Sequence, residues 1–492
     1  MVNGEPTAPF NATKGLRQGD PISPFLFAIS MEYLSRNLND VKESQEFKYH
    51  PKCSKLYLTH LSFADDLLLF SRGDVKSVTT LHRCFQDFSD ASGLQANKEK
   101  SSIYFGGVTQ EVQEQILSFL GFPKGELPFR YLGIPLATKK ISLIQWQPLI
   151  TRMVAKITSW TAKKLSYAGR AQLIQTVLFG IQAYWAQLFV IPSKVINTIE
   201  AYCRSYLWSG TNTITRKALI AWEKVCTPKS MGGLSLMNMR VWNKAAISKA
   251  SWDIEHKSDR LWIRCLHAYY IKNQQFAQMA IPQQVGWMVK KLFEARSSLP
   301  LIQVNNAGSV IKQIYYQLLG NNAKISWKTL RFGNNARPKA QFTVWLQMQG
   351  RLLTVDRIAS WGVSVDHECK LCNNQNETRD HLFMECSYSI KVWEGVLKWM
   401  QVPSFRTTQW ELMEKWIIQR IKGKSQQAQI FKMAYTEWVH AIWIERNQRR
   451  FEMRSRKAEQ LVKEIAYVCN VRAPTRIKEK VQQFCICQPS RK

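Results

Sequence analysis

The sequence is poor in acidic residues: 36 Asp and Glu stand against 68 Lys and Arg in 492 residues, which gives a formal net charge of +32. Because the basic residues recur along the whole chain rather than in one tail, this imbalance suits a long polyanionic partner. The 18 Trp, 16 Tyr and 23 Phe add rings on which bases can stack. We therefore expect the chain to contact nucleic acid.

The sequence also lacks the features of a membrane or secreted protein. Its longest apolar run, 177–191, is interrupted by Gln182 and Gln187 and is shorter than the roughly 20 residues that span a bilayer. The N-terminus has no basic start followed by an apolar core. The 11 Cys show no regular spacing except one cluster near position 370, which disfavours a disulfide framework. We expect no membrane segment and an intracellular location, in the nucleus, the cytoplasm or both.

The first 140 residues mix helix and strand signals, which predicts an α+β fold for this part. Helical spacing or capping signals cover 21–34 and 77–92, the second ended by Gly93. Strand signals cover 55–63, 67–70 and 101–105, and the first two predict a β-hairpin with Asp65 and Asp66 at its turn.

The rest of the chain is predicted to be mainly helical. Apolar residues recur every three to four positions between Ile174 and Trp185. The stretch 297–338 is richer in Asn, Gly, Ser and Gln and predicts a connecting segment, and the chain is helical and basic after about residue 410. Boundaries are therefore placed after residues 140, 260, 338 and 400.

The adjacent acids Asp65 and Asp66, between Phe63 and Leu67, are candidates for metal binding. Neighbouring carboxylates on a tight turn repel each other unless a cation lies between them. Nucleotide transfer to a growing strand uses two metal ions held by such carboxylates. An Asp-Asp pair is also common in solvated turns, so the pair alone leaves both interpretations open.

The upstream segment 14–24, which contains Arg17, Gln18 and Gly19, is more distinctive. Together with Phe63-Ala64-Asp65-Asp66 it resembles the reverse transcriptases of plant LINE-type, non-LTR retrotransposons. The resemblance implies that Arg17, Gln18 and Gly19 lie against template and incoming nucleotide, and that Asp65 and Asp66 bind catalytic Mg²⁺. The alternative for the segment is a helix-capping loop.

The likeness extends to a third motif, residues 92–101, and to two later segments. It implies that Lys100, with Lys98 as second choice, lies near the departing pyrophosphate, where a lysine can act as general acid or electrostatic stabiliser. A solvated surface lysine is the alternative. Residues 129–136 resemble the primer-grip hairpin of the family, and an ordinary strand and turn is the other interpretation.

Residues 163–170 resemble the thumb of the same enzymes. The resemblance implies that Lys163, Lys164 and Arg170 contact the phosphates of duplex product without selecting sequence. A solvated charge cluster is the alternative. Trp208 and Trp222 lie in segments that also match, and we expect both side chains in the core.

Cys369, Cys372, His381 and Cys386 follow the spacing C-x2-C-x8-H-x4-C. Three Cys and one His complete a tetrahedral zinc site with no open position, so the pattern predicts structural rather than catalytic zinc. The cluster also resembles the zinc-binding domain that follows the polymerase in these elements. Unrelated buried cysteines are the alternative, and His367 is a weaker ligand candidate.

The segment 438–451 continues an apolar helical stripe into a basic end. It predicts either an RNA-binding helix or a helix that packs on the zinc module and ends in a solvated basic tail.

The first aspartate of the chain is Asp20, which belongs to the loop that contains Gly19. Reverse transcriptases place another metal-binding aspartate well upstream of this loop, so the resemblance implies an incomplete catalytic set and a chain that is truncated and inactive alone. The hypothesis is an RNA-directed DNA polymerase acting on an RNA template with a DNA primer, or on an RNA–DNA duplex. The alternative is a non-catalytic, nucleic-acid-binding retrotransposon remnant.

In family terms the expected architecture is a partial right-hand palm followed by a helical thumb, a zinc-stabilised module and a basic helical C-terminal region. The expected segments are 1–140 (partial palm), 141–260 (thumb), 261–338 (helical connector), 339–400 (zinc-binding domain) and 401–492 (basic helical region).

Overall fold

The computed structural model describes residues 19–137, 139–161, 165–256, 259–301, 308–320 and 323–484. Most of this part of the chain is helical. In chain order the α-helices are α1 (Ser23–Asp40), α2 (Val75–Ser92), α3 (Gln110–Leu120), α4 (Gln147–Thr161), α5 (Tyr167–Leu173), α6 (Phe179–Leu188), α7 (Ser193–Ser209), α8 (Trp222–Cys226), α9 (Met239–His256), α10 (Leu261–Leu266), α11 (Trp287–Ala295), α12 (Val310–Leu319), α13 (Lys328–Arg331), α14 (Pro338–Met348), α15 (Val355–Ala359), α16 (Ser387–Trp399), α17 (Trp410–Ile421), α18 (Gln426–Phe451), α19 (Ala458–Arg472) and α20 (Thr475–Gln483).

Two short antiparallel hairpins supply the strands of the described residues. They are β1 (His60–Phe63) with β2 (Asp66–Leu69), and β3 (Phe129–Tyr131) with β4 (Ile134–Leu136). The predicted strand over 101–105 is wrong, because within the described chain Ile103 forms only an isolated bridge to Lys124 and has no second strand with which to build a ladder. Helices and antiparallel strands do occur together, but helices dominate.

By its internal contacts the chain divides into two compact units, residues 1–142 with 247–302 and residues 143–246 with 303–492. No helix in the described part of the chain combines the length and the apolar character that crossing a bilayer requires.

The first unit contains a core between α1 and α2. Both predicted helices are confirmed: α2 starts where the Asp74 carboxylate accepts from the Ser77 N–H (2.9 Å), and it ends at Gly93, whose φ of 74° favours glycine. The core side chains of this cluster are Leu34, Leu38, Val41, Phe47, Leu81 and Phe88. Leu67 of β2 packs against them, so the hairpin is fixed on the helix pair.

The second unit is built from packed helices. Ile174 and Leu178, in a π-helical turn between α5 and α6, are fully buried, and Trp208 and Trp222 are buried as expected. In the C-terminal part α18 packs against α14, α17 and α19, and α16 packs against α19. Trp393 of α16 and Trp438 of α18 are in contact, with ring centroids 4.5 Å apart.

Candidate functional site

The β1–β2 hairpin presents two adjacent carboxylates at its end. Phe63 pairs with Asp66, and Ala64 and Asp65 form the two-residue connection, with Ala64 in the left-handed region at φ 51°. Asp65 and Asp66 are both exposed. Among the residues that the structure describes, neither carboxylate forms an ion pair, and their oxygens are therefore open to a cation.

The direction of Asp66 follows from strand alternation. Successive side chains of a strand point to opposite faces, and Leu67 packs against the α1–α2 core. Asp66 therefore points away from that core. His60 ties β1 to α1 because its Nε2 lies 3.0 Å from the Ser35 hydroxyl, and burial lowers the pKa of this imidazole. The turn is thus a rigidly supported, solvent-facing acidic site.

The other residues predicted for this site occupy surface positions. Lys100 is exposed in a turn where its N–H donates to Asn97, and Lys98 is exposed in the same loop. Gly19 has a φ of 87°, which requires glycine, and lies just before α1. Arg17 and Gln18 lie outside the described residues.

The segments predicted to hold nucleic acid have clear local structures. Residues 129–136 form the hairpin β3–β4, and its turn contains Gly133 at φ 79°. Arg170 lies in the first turns of α5 and donates from NH1 to the Leu207 carbonyl (3.3 Å), near the end of α7. Lys163 and Lys164 lie outside the described residues.

The second candidate site is the Cys/His cluster of the second unit. The ligand atoms of Cys369, Cys372, His381 and Cys386 all lie within 4.8 Å of one another. Cys369 Sγ is 4.0 Å from Cys386 Sγ, and Cys372 Sγ is 3.3 Å from His381 Nε2. His367 is exposed and is not a member of the group.

Backbone hydrogen bonds hold the first two cysteines in a knuckle. The Asn373 N–H donates to the Cys369 carbonyl (2.8 Å), and Asn373 adopts a φ of 50° to close the turn. The Cys369 N–H donates to the Gln375 carbonyl (2.9 Å). These bonds hold the Cys369 and Cys372 thiols close enough together to bind one metal ion.

The other two ligands come from the chain that leads into α16. His381 starts a π-helical turn, His381–Glu385, and the Cys386 N–H closes it by donating to the His381 carbonyl (2.7 Å). Cys386 then caps the N-terminus of α16. Single π turns are frequent at functional positions, and here the turn brings His381 and Cys386 to the cysteine knuckle.

The four side chains fit a zinc ion. Tetrahedral coordination at about 2.3 Å for Zn–S and about 2.0 Å for Zn–N places ligand atoms roughly 3.5–3.8 Å apart, which is close to the separations found. The hydrogen bond from Cys369 to Cys386, together with burial, raises the pKa of the Cys369 thiol to about 12. The same hydrogen bond lowers the pKa of Cys386, whereas burial acts in the opposite direction. Zinc binding would require both groups as thiolates and would displace the thiol proton.

A buried ion pair supports the cluster from α18. Arg446 donates from Nε and NH2 to the carboxylate of Glu377 at 2.6–3.0 Å, and both side chains are at most 2% exposed. Glu377 Oε1 also accepts from the Val355 N–H (3.1 Å). Glu377 stands between the knuckle and His381 in the sequence. Its carboxylate links this stretch to α15 through the Val355 N–H and to α18 through Arg446.

The neighbouring arginines of α18 also face the zinc module. Arg449 donates to the Leu371 carbonyl of the knuckle (3.0 Å), and Arg450 donates to the Asp366 carbonyl (2.6 Å). Their side chains are 17% and 13% exposed. The structure therefore favours a helix packed on the module over an RNA-binding helix, and these arginines are internal rather than part of a solvated tail.

Sequence reasoning missed the role of Glu377, because an acidic residue between predicted metal ligands looks like any surface carboxylate. It also treated Arg446 as part of the basic end of the 438–451 helix, which was expected either to bind RNA or to be solvated. The one available signal was the position of Arg446 on the apolar stripe of its helix.

Two family models match parts of the chain that contain the candidate sites. Residues 1–136 match the family described as reverse transcriptase (RNA-dependent DNA polymerase), and residues 310–393 match the family described as zinc-binding in reverse transcriptase. The hairpin and the Cys/His cluster lie within these two matches.

Individual relatives match over shorter stretches. A putative ribonuclease H protein of Arabidopsis thaliana is 29% identical over 137 residues, which is 28% of this chain and 22% of the relative. A retrovirus-related Pol polyprotein from a type-1 retrotransposable element of Popillia japonica is 35% identical over 100 residues, 20% of this chain and 16% of the relative. The chain thus spans about a fifth of the length of these curated relatives.

Over the stretches 1–136 and 310–393 the chain is therefore similar to reverse transcriptases and to their zinc-binding domain. One of the relatives, the protein of Popillia japonica, is a retrotransposon Pol polyprotein.

Proposed function

We propose that this chain carries part of the palm (1–140) and the thumb (141–260) of an RNA-directed DNA polymerase of the LINE type. The observation that carries the proposal is the β1–β2 turn, where Asp65 and Asp66 are adjacent, exposed and without a cationic partner in the described chain. An acidic turn on a rigid hairpin is the kind of support that a catalytic metal site needs.

Asp65 and Asp66 would hold Mg²⁺ through their carboxylate oxygens. When bound, the ion activates the primer hydroxyl and stabilises charge on the leaving pyrophosphate. Lys100, on the exposed turn after α2, is proposed to stabilise the same leaving group by its charge. Its position in a surface loop leaves the ammonium group accessible to a bound nucleotide.

The substrate would be an RNA template with a DNA primer, or the RNA–DNA duplex formed from them. Arg17, Gln18 and Gly19 are proposed to contact template and nucleotide, and the positive φ of Gly19 permits close approach of the backbone. Lys163, Lys164 and Arg170 are proposed to contact phosphates. Arg170 donates to Leu207 from one of its five N–H groups, which leaves donors for such a contact.

Structural zinc in the second unit is part of the proposal. Cys369, Cys372, His381 and Cys386 would complete its coordination, so the ion would stabilise the module and take no part in the reaction. The mutual separations of the four ligand atoms support this role.

Primer extension on an RNA template with Mg²⁺ tests the polymerase proposal. Incorporation of deoxynucleotides that falls by at least about a hundredfold in Asp65→Asn supports it, because one metal-binding carboxylate supplies a large part of the rate. Asp87→Asn is the matched control, since it removes the same charge from an exposed position on α2.

The same assay decides the second candidate function. A wild-type chain that binds the primer–template in a gel-shift experiment but incorporates nothing identifies a non-catalytic nucleic-acid-binding protein. That result would also fit the sequence-based expectation of an incomplete carboxylate set, which stays a prediction.

A further inference from the structure

A cleft of about 250 Å³ lies beside the Cys/His cluster in the second unit. It is formed by the turn at Gly350, the start of α15, and the residues just before His381. None of the residues assigned above to metal or nucleic-acid binding lines it.

Two arginines converge on this cleft. Arg357 donates from NH1 to the Gly350 carbonyl (2.5 Å). Arg379 stacks on the Trp410 ring, 4.1 Å from its centroid, and donates from Nε to Asp380 (2.8 Å). The Arg379 guanidinium is also close to Gly350, because a Cβ added to this glycine would lie 3.7 Å from Arg379 NH1. Both guanidinium groups therefore border the turn at Gly350. Each has five N–H donors, and these bonds use one of each.

Thr354, one of the residues that line the cleft, carries a buried hydroxyl. Thr354 is 1% exposed, and its Oγ1 has no hydrogen-bond partner among the described residues. It does not cap α15 with its side chain. A buried polar group without a partner is costly, and in native proteins it usually has a ligand or a functional reason. Nearby, the Thr378 hydroxyl accepts from the His381 N–H (3.0 Å), and its own hydrogen can be donated to another acceptor.

The charged residues that line the cleft are two arginines, Arg357 and Arg379, and two aspartates, Asp356 and Asp380. Asp380 is already paired with Arg379, and Arg351 adds a positive charge near Arg357. Burial and the neighbouring Arg351 lower the pKa of Arg357. An anionic oxygen group placed here would offset both effects.

We propose that the cleft binds a phosphate group through Arg357, Arg379 and the Thr354 hydroxyl. A phosphate offers several acceptor oxygens in different directions, and guanidinium forks match them well. The source of the group is either free phosphate or the backbone of a single-stranded RNA. This site is independent of the polymerase proposal, because it uses no residue of the β1–β2 hairpin.

Isothermal titration of the zinc-loaded full chain tests the proposal with two probes, inorganic phosphate and a single-stranded RNA oligonucleotide, at constant ionic strength. We expect saturable binding of phosphate by the wild type and a loss of about tenfold in affinity for Arg357→Gln and for Arg379→Gln. Arg454→Gln is the control, because this arginine is 79% exposed and lies outside the cleft. It should bind as the wild type does.

Thr354→Val separates loss of binding from loss of folding. The change keeps the shape of the side chain and removes a hydroxyl that bonds to no described residue, so its melting temperature should not fall while its phosphate affinity does. Weaker phosphate binding with unchanged RNA binding identifies free phosphate as the ligand, and weakening of both identifies the RNA backbone. Unsaturable phosphate binding by the wild type, or cleft variants equal to Arg454→Gln with both probes, would overturn the proposal.

Discussion

The two candidate metal sites of this chain are built in opposite ways. At the β1–β2 turn, Asp65 and Asp66 are exposed and have no ion-pair partner in the described chain. In the Cys/His cluster, Cys369 and Cys386 are fully buried, and His381 is 3% exposed. The first site leaves its ligand residues open to solvent, whereas the second buries three of its four ligand residues and leaves Cys372 half-buried.

The difference fits the two roles that we propose for these sites. A metal that takes part in a reaction needs open coordination positions for substrate, and the protein supplies only part of its ligands. A structural metal has all of its ligands from the protein, and further contacts fix those ligands in place. The dense hydrogen bonds and ion pairs around the Cys/His cluster agree with the second description, and the open acidic turn agrees with the first.

The largest expected effect is that of zinc loss. We expect one zinc ion per purified chain, and a chelator or Cys369→Ser to lower the stability of the second unit by several kcal/mol, since structural zinc contributes directly to folding. Metal analysis and thermal unfolding measure both quantities. Cys84→Ser, at a half-buried cysteine of the first unit, is the control. A chain that purifies without zinc, or that melts at the same temperature after chelation, would refute the structural site.

Breaking the buried ion pair should have the next largest effect. Arg446→Met leaves the buried Glu377 with Arg450, whose NH1 is 3.8 Å away, as its remaining cation, so we expect a loss of about 3 kcal/mol, at the low end for breaking a buried ion pair. Chemical unfolding would measure it. Arg36→Met is the comparison, because Arg36 and Glu32 form an exposed pair (75% and 61%) whose loss should cost at most about 1 kcal/mol. Equal effects of the two substitutions would remove the contrast between the enclosed and the open region.

The smallest effect is expected at the acidic turn. Asp65→Asn removes a charge that bonds to nothing in the described structure, so the free energy of unfolding should change by no more than about 0.5 kcal/mol. The measurement is the denaturation midpoint, with Asp87→Asn alongside. A loss of more than about 1 kcal/mol would show that Asp65 has a structural role and would weaken its assignment to an open metal site.

Local sequence patterns were enough to predict the parts of the fold whose causes are local. Strand signals on both sides of Ala64-Asp65-Asp66 predicted the hairpin that carries the two aspartates, and the spacing of the four zinc ligands predicted that they come together. Helix α2, with its Asp74 cap and Gly93 end, was predicted for the same reason.

Features that depend on distant contacts were not predicted. Glu377 and Arg446 are 69 residues apart, and neither neighbourhood shows that the two charges are buried together. The strand expected at 101–105 failed because apolar alternation does not reveal whether a partner strand exists. The phosphate cleft was also invisible, since its arginines come from separate segments and its unpartnered hydroxyl is known only from the fold.

The ion pair between Glu377 and Arg446 affects where the zinc module ends. The family match for this module stops at residue 393, yet α18 supplies the cation that neutralises its buried carboxylate more than fifty residues later. A fragment cut at the edge of the match would keep all four metal ligands and lose the counter-charge. The smallest piece of this protein that can be expected to fold around zinc therefore extends through α18, and exchange of the module between related elements should involve the whole stretch.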